Sequence, residues 1–200
     1  MSGVLARFTR QLHLDRPAVR AWMLYDWANS AMYVVIVTAI FPTFFSAVAA
    51  QGLPPVEATY RFSLATTLGL TIIAVLSPIL GAIADHSAAK KRLLGAFLVF
   101  GATAVAAMFF IRHGQWVFAA LLFILANIGV NGSFVFYDSL LPHVAAPDEM
   151  DRISTAGYAL GYLGGGLFLV ACLGIILAPA AFGLPSGAGL TPTEATLPTR

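Results

Sequence analysis

Long apolar stretches alternate with short polar segments along this chain. A helix needs about 20 residues to cross the hydrocarbon of a bilayer. Five stretches approach that length, and they cover approximately 22–48, 62–84, 93–111, 116–141 and 155–181. The pattern predicts an all-α, polytopic membrane helix bundle over 22–181. A segment at 1–21 precedes the bundle, and a Gly-, Pro- and Thr-rich segment at 182–200 follows it.

The composition agrees with a bilayer as the solvent and narrows the chemistry. The chain is 59% hydrophobic and 10% charged, with a mean hydropathy of +0.84, far from the values of soluble domains. Its single cysteine, Cys172, lies inside the fifth stretch, so the chain has neither a disulfide framework nor a cysteine cluster for a metal. We therefore expect no cofactor and no metal site. The net charge of +2 comes without a basic, aromatic-rich patch, and we expect no nucleic-acid partner.

Basic residues are distributed unevenly between the two sides of the predicted bundle. Short loops rich in Lys and Arg stay on the cytoplasmic side of a membrane. One side carries Arg7, Arg10, Arg16, Arg20, Lys90, Lys91, Arg92 and Arg152, and the other carries Arg61, Arg112 and Arg200. The asymmetry predicts a cytoplasmic segment 1–21 and an extracytoplasmic segment 182–200, in a multi-pass protein of the cell (plasma or inner) membrane.

Polar side chains in the first and fourth stretches lie where hydrocarbon is expected. An ionisable or amide group at that depth needs a partner or water. With about 100° between successive helical residues, each stretch gathers its polar residues on one face: Asp26, Asn29, Ser30 and Tyr33 in the first, and Asn127, Asn131 and Asp138 in the fourth. We predict that Asp26, Asn29, Tyr33, Asn127 and Asn131 line a cavity and bind substrate. Helix packing for the amides and Tyr33, and helix capping for Asp26, are the alternatives.

The second and third stretches differ in what they hide from lipid. A narrow polar stripe on the second consists of Thr67, Thr71, Pro78 and Asp85, with Gly81 beside it. The third has Thr103 as its one polar side chain, and threonine can bond its own backbone. We expect the third stretch to face lipid on all sides.

Glycines repeat every four residues in the fifth stretch, at Gly157, Gly161 and Gly165. Small residues at this spacing let two helix backbones approach closely in a membrane. The repeat predicts a helix interface on this face.

Charged residues concentrate at the predicted cytoplasmic ends of the second, third and fourth stretches. They are Asp85, Lys90, Lys91, Arg92 and Asp138, and Gly81 lies one turn before Asp85. Asp138 is expected within reach of the basic cluster, as a structural or gating ion pair. The run GAIADHSAAKKR resembles the cytoplasmic loop signature of the major facilitator superfamily. Because substrate sites of such transporters lie near the midplane, we predict a gating role for these six residues.

The distribution of polarity over the five stretches also resembles one half of such a transporter. In that superfamily each six-helix half consists of two inverted three-helix repeats. The first and fourth helices line the central cavity, the second and fifth contact the other half, and the third is peripheral. The resemblance implies that this chain supplies five transmembrane helices of a six-helix amino-terminal half.

Three motifs resemble a narrower family, namely WMLYDWANSAMY, FYDSLLPHVA and STAGYALGYLGGGLFL. They are similar to the vacuolar, autophagy-related amino-acid effluxers and their prokaryotic relatives. The resemblance implies a secondary transporter of about twelve spans that exports a small solute such as an amino acid, with lipid, a coupling ion (a proton or sodium) and a second half as partners. We expect the chain to be a fragment, because no sixth apolar stretch follows the fifth.

Two other functions compete with transport. Tyr-Asp occurs in two stretches, as Tyr25-Asp26 and Tyr137-Asp138, and intramembrane aspartyl proteases use two helix-borne aspartates. The Gly-x-Gly motif of those proteases is absent before Asp138, so we expect no enzyme activity. A non-transporting scaffold or assembly subunit would explain the short chain and the glycine face without the polar stripes.

Overall fold

A computed structural model describes residues 14–86 and 89–184 of the chain. These residues form helices and include no strand. Five helices are long and apolar enough to cross a membrane, and we call them the first to fifth spans: Pro17–Ala49, Pro55–His86, Lys90–Phe110, Trp116–Asp138 and Met150–Leu177. The all-α bundle of five spans is therefore confirmed. The predictions for segment 1–13, for residues 87–88 of the charged loop and for 185–200 lie outside the described residues.

Several helices extend beyond the apolar stretches that revealed them. The second span begins at Pro55 rather than near residue 62, and its first turn contains Glu57, which pairs with Arg61 one turn later. The first span begins at Pro17, and proline suits the first helical turn because the donor it lacks would be unpaired there. Hydropathy marks the part of a helix that meets hydrocarbon, and polar residues can continue the helix outside it.

Helical geometry changes along the first span. The α-helix Pro17–Ala31 continues as a π-helix at Met32–Ile40, a short α-helix at Phe41–Phe44 and a second π-helix at Phe45–Ala49. Pro42 has no N–H to donate and its ring crowds the preceding turn. Membrane helices accommodate proline through local widening of this kind, because the freed backbone groups find new partners. Accordingly, the N–H of Phe41 donates to the carbonyl of Ile36, five residues earlier.

The remaining elements are short. A four-residue α-helix, Leu141–Val144, links the fourth and fifth spans, and a 3-10 turn covers Pro179–Phe182. The third span is an α-helix over Lys90–Ala107 that closes with a 3-10 turn at Met108–Phe110.

Two loops meet at the end of the bundle opposite the charged cluster. Gly52 (φ 92°) and Gly114 (φ 78°) adopt left-handed conformations in the turns after the first and third spans, which glycine allows without steric cost. The N–H of Gly114 donates to the carbonyl of Val48 at 3.1 Å. This bond ties the turn after the third span to the end of the first span.

Packing divides the bundle into two groups around the fourth span. The second and third spans both pack on the fourth, while the first packs on the fifth. Aromatic contacts lie near the end of the bundle that contains the turns after the first and third spans. There Phe41 of the first span stacks on Phe123 of the fourth at 5.0 Å, and Phe62 of the second span lies 5.0 Å from Phe123. The fourth span is the most buried of the five, because it has neighbours on several sides.

The expectation that the third span faces lipid on all sides is wrong. Gly101 and Ala104 are buried against the fourth span. A Cβ added at Gly101 would lie 3.2 Å from the Cα of Gly129, so the two backbones are nearly in contact. Polarity did not reveal this face because membrane helices associate through close packing of small residues as well as through polar groups.

Candidate functional site

Aromatic and hydroxyl side chains join the first span to the fourth. The ring of Tyr137 stacks on Trp22 at 4.4 Å and on Tyr25 at 5.0 Å. Trp22 Nε1 donates to the carbonyl of Tyr137 at 3.2 Å, and the Tyr25 hydroxyl donates to Ser133 Oγ at 2.7 Å. Ser133 in turn donates to the carbonyl of Val130. Three polar side chains inside the bundle, Trp22, Tyr25 and Ser133, are thereby bonded across or along the two spans.

Tyr33 and Asn131 form a further contact between the first and fourth spans. The Tyr33 hydroxyl donates to Asn131 Oδ1, and Asn131 Nδ2 donates to the carbonyl of Asn127 at 2.8 Å. Tyr33 lies in the π-helical segment Met32–Ile40, and its carbonyl accepts from Thr38 Oγ1 at 2.9 Å. π-Helical segments are rare and often occur at functional sites. The structure thus brings together two of the residues that we predicted for substrate.

Asn127 lies elsewhere, although it shares a helix face with Asn131. It is 4% exposed, and its Nδ2 donates to the carbonyl of Phe123 at 2.9 Å. A Cβ at Gly69 would lie 3.6 Å from the Cβ of Asn127, so the side chain starts against the second span. In this conformation Asn127 helps pack the second span on the fourth.

The fifth-span glycines lie against the first span. Gly157, Gly161 and Gly165 are buried. A Cβ at Gly157 would come within 2.5 Å of the Trp22 ring, and one at Gly165 within 2.7 Å of Val34. A Cβ at Gly161 would overlap Asp26 Oδ2 and lie 2.7 Å from Ser30 Oγ. The predicted glycine face therefore meets the polar face of the first span.

Asp26 is enclosed by this contact. It is 1% exposed, and its Oδ2 has no hydrogen-bond partner among the described residues. Within the same described part, Asn29 Nδ2 and the Tyr137 hydroxyl are also buried without partners. A buried polar atom without a partner costs roughly 1–3 kcal/mol. An unpartnered carboxylate oxygen in a residue that lines a cavity, as Asp26 does, indicates a site that a ligand, a proton or water completes.

A cavity of about 300 Å³ adjoins Asp26 between the first, fourth and fifth spans. Its lining residues are Asp26, Ser30, Tyr33, Val34, Thr38, Phe134, Tyr158 and Tyr162. Tyr158 and Tyr162 each follow a glycine of the interface, Gly157 and Gly161, in sequence. Their four-residue spacing places them on one side of the glycine face, and sequence reasoning overlooked that signal. A volume near 300 Å³ is at the small end of the range for ligand pockets.

A second cavity, of about 450 Å³, lies between the second and fourth spans near the loop end. It is walled mainly by aliphatic side chains, and Arg61 covers the Trp116 ring there at 3.8 Å while pairing with Glu57. Its one cation is thus already paired, and the cavity contains none of the predicted substrate residues.

The charged cluster that we predicted to be cytoplasmic is open in this conformation. Asp85, Lys91, Arg92 and Asp138 are exposed, and Lys90 Nζ donates to the carbonyl of Ser139 at 3.3 Å. In the described residues no ion pair joins Asp138 to Lys90, Lys91 or Arg92. A Cβ at Gly81 would meet nothing within 4 Å. The gating role of these residues therefore stays a prediction.

One ion pair at this end escaped the sequence analysis. Arg16 Nη2 lies 2.8 Å from Glu149 Oε2, and Glu149 Oε2 also accepts the N–H of Ala146 at 3.1 Å. The pair joins the start of the first span to the start of the fifth. Nothing in the local pattern marks it, because the two residues are far apart in sequence and only the fold brings them together.

Comparison with known proteins decides the family. A family model described as "Vacuole effluxer Atg22 like" matches residues 57–186, more than half of the chain. The chain belongs to this family. The curated relatives of this Atg22-like chain include an uncharacterized MFS-type transporter, YxiO, of Bacillus subtilis, which is 34% identical over 91% of the chain. Autophagy-related protein 22 of Neurospora crassa is 33% identical over 51% of the chain, and that of Coccidioides immitis is 34% identical over 46%.

The Atg22-like chain is shorter than these relatives. It spans 41% of the length of the Bacillus subtilis protein and 14% of each of the two fungal proteins. No solved structure matches the chain. Its relatives are transporters and effluxers, so the chain is part of a multi-pass membrane transport family. These comparisons identify the family and its role in transport, but they do not identify the solute that the whole protein moves.

Proposed function

We propose that this chain forms the amino-terminal bundle of a secondary transporter of the major facilitator type, which moves a small solute by alternating access. The proposed solute is an amino acid, as the resemblance of the three motifs to the vacuolar amino-acid effluxers implies, and the description of the family as a vacuole effluxer is consistent with export. Alternating access requires a second bundle that rocks against the first around a shared site. The second-span stripe of Thr67, Thr71, Pro78 and Asp85 is exposed and is available for that second bundle.

The observation that carries this proposal is the cavity beside Asp26. Its walls come from the first, fourth and fifth spans, and they combine a carboxylate, hydroxyl groups and aromatic rings. Small-molecule sites typically combine apolar walls with a few well-placed polar groups. Tyr33 and Asp26 would contact the solute, and Asn131 would hold the Tyr33 hydroxyl in place. Asn29 and Asn127 would support the surrounding helices.

Removal of one hydroxyl from this cavity tests the proposal. We expect the intact protein in proteoliposomes to transport at least one member of a neutral amino-acid panel. Tyr33→Phe leaves Asn131 Oδ1 without its donor and should raise the KM for that solute about 2- to 10-fold, which corresponds to the loss of one hydrogen bond of roughly 0.5–1.5 kcal/mol. Tyr60→Phe is the matched control, because Tyr60 is exposed on the second span. An equal effect of both variants would remove Tyr33 from the site.

We also propose that the amino terminus and the loop between the fourth and fifth spans are cytoplasmic. In a Cys172→Ala background, an impermeant thiol reagent added to intact cells should label His113→Cys and spare Asp148→Cys. Both positions are exposed in loops at opposite ends of the bundle. Disruption of the cells should make Asp148→Cys reactive. The reverse pattern in intact cells would invert the topology.

A further inference from the structure

We propose that Asp26 is a proton-binding site and that contact between the first and fifth spans holds it in the protonated form. The carboxyl group would exchange its proton with water when the adjoining cavity is hydrated. This inference rests on the proposed function only where it concerns coupling to transport, because proton binding itself can be measured without a substrate.

Asp26 has no counter-charge within the described residues. Asp26 is 1% exposed, and within residues 14–86 and 89–184 no ion pair includes it. Its Oδ2 has no hydrogen-bond donor in the same part of the chain. An isolated carboxylate in an apolar medium is so costly that the group takes up a proton instead. A neutral carboxyl group is the form that this environment accommodates.

The titratable groups around Asp26 are acids. The titratable groups close to Asp26 are Tyr25 and Tyr33 of its own span, Tyr137 and Asp138 of the fourth span, and Tyr158 and Tyr162 of the fifth. All are acids, so none supplies positive charge, and Asp138 is close enough to repel a charge on Asp26. His143, on the short helix Leu141–Val144, is exposed. None of these groups therefore supplies the positive charge that would stabilise the ionised form of Asp26.

The space at Asp26 Oδ2 suits a proton better than a metal cation. Hard cations need several oxygen ligands around them. At Asp26 the available oxygens on this side are Oδ2 and Ser30 Oγ, and both lie directly against the backbone of Gly161. The helix contact leaves no space for a coordination shell between Oδ2 and Gly161, and the sodium addition described below tests for a cation in the adjoining cavity. A proton needs one oxygen and no shell.

The cavity supplies a route for exchange. Asp26, Ser30, Tyr33 and Thr38 line the same volume of about 300 Å³. A hydronium ion in that cavity would donate a proton to the Asp26 carboxylate in one conformation and become water, and a water molecule would take the proton back in another, so that the carboxyl group cycles between neutral and ionised forms. A state in which the first and fifth spans separate would solvate the carboxylate and favour release.

Infrared difference spectroscopy of the intact protein in lipid nanodiscs tests proton binding directly. We expect a protonated carboxyl band at about pH 6, where ordinary aspartates with a pKa of about 3.9 are ionised. The band should disappear in Asp26→Asn and persist in Asp148→Asn, an exposed loop carboxylate. Addition of sodium at constant pH should leave the band unchanged.

Two further measurements distinguish a variant that does not fold from a failure of proton binding or of transport. If Asp26→Asn does not fold, Asp26→Glu should keep a carboxyl group and shift the band. A band that neither substitution alters, no band at all, or loss of the band on adding sodium would overturn the proposal. In proteoliposomes, the acceleration of transport by a pH gradient, expressed relative to each variant's own rate at equal pH, should be at least 10-fold smaller for Asp26→Asn than for the parent. Absence of any solute transport by the parent would instead refute the proposed function, while the band still reports on the proton.

Discussion

Replacement of Gly129 by alanine is expected to destabilise the bundle more than any other single methyl addition described here. The new Cβ would overlap the backbone of Gly101 and lie 3.0 Å from the carbonyl oxygen of Phe97. Backbone atoms of two long helices cannot move aside separately, so the third and fourth spans must part along their length. Overpacking of this kind costs about 1–3 kcal/mol or more.

Thermal unfolding of the purified protein in detergent measures this effect. Gly95→Ala is the matched control, because it lies on the same third span and a Cβ there would meet nothing within 4 Å. Alanine is the better helix former by about 1 kcal/mol, so the control should keep or slightly raise the melting temperature. Equal melting temperatures for the two variants would show that the spans are not in close contact at Gly129.

Gly161→Ala should impair transport at little cost in stability. The added methyl group would overlap Asp26 Oδ2 and approach Ser30 Oγ to 2.7 Å. Both neighbours are side-chain ends, which can rotate away more easily than a backbone can move. Rotation displaces the carboxyl group from its enclosed position beside the cavity. We expect the transport rate to fall at least about 10-fold, which corresponds to roughly 1.4 kcal/mol.

The comparison variant for this experiment is Gly166→Ala on the same span. A Cβ at Gly166 would meet nothing within 4 Å, so transport should stay close to that of the parent. Both rates are measured in proteoliposomes at matched protein density, with melting temperatures recorded beside them. Normal transport by Gly161→Ala would mean that the carboxyl position does not matter for the transport cycle.

The two glycine contacts show how far helix patterns can be interpreted. The repeat of Gly157, Gly161 and Gly165 is visible in the sequence and predicted a close interface. Gly101 and Gly129 lie on different helices and form no repeat within either one. A close contact between two single glycines depends on the axial offset of the helices, which no local pattern contains.

The asparagines of the fourth span illustrate a related difference. Asn127 and Asn131 share one helix face, and the projection placed both in a cavity wall. The structure puts Asn131 against Tyr33 of the first span and Asn127 against Gly69 of the second. One turn of helix is enough to change the neighbour, because the first and second spans contact different parts of the fourth.

Hydropathy by itself determined the five spans and the all-α class, since about 20 apolar residues have few alternatives to a membrane-spanning helix. The sequence also identified the polar residues that lipid could not solvate, Asp26 among them. Tertiary structure alone decided which of these groups found partners. Tyr25 and Tyr33 bond across to the fourth span, whereas Asp26 packs against Gly161 with its Oδ2 unpaired in the described residues. The physical reason is that hydrogen bonding and burial depend on distances between helices, and a one-dimensional pattern specifies only the direction in which each side chain leaves its own helix.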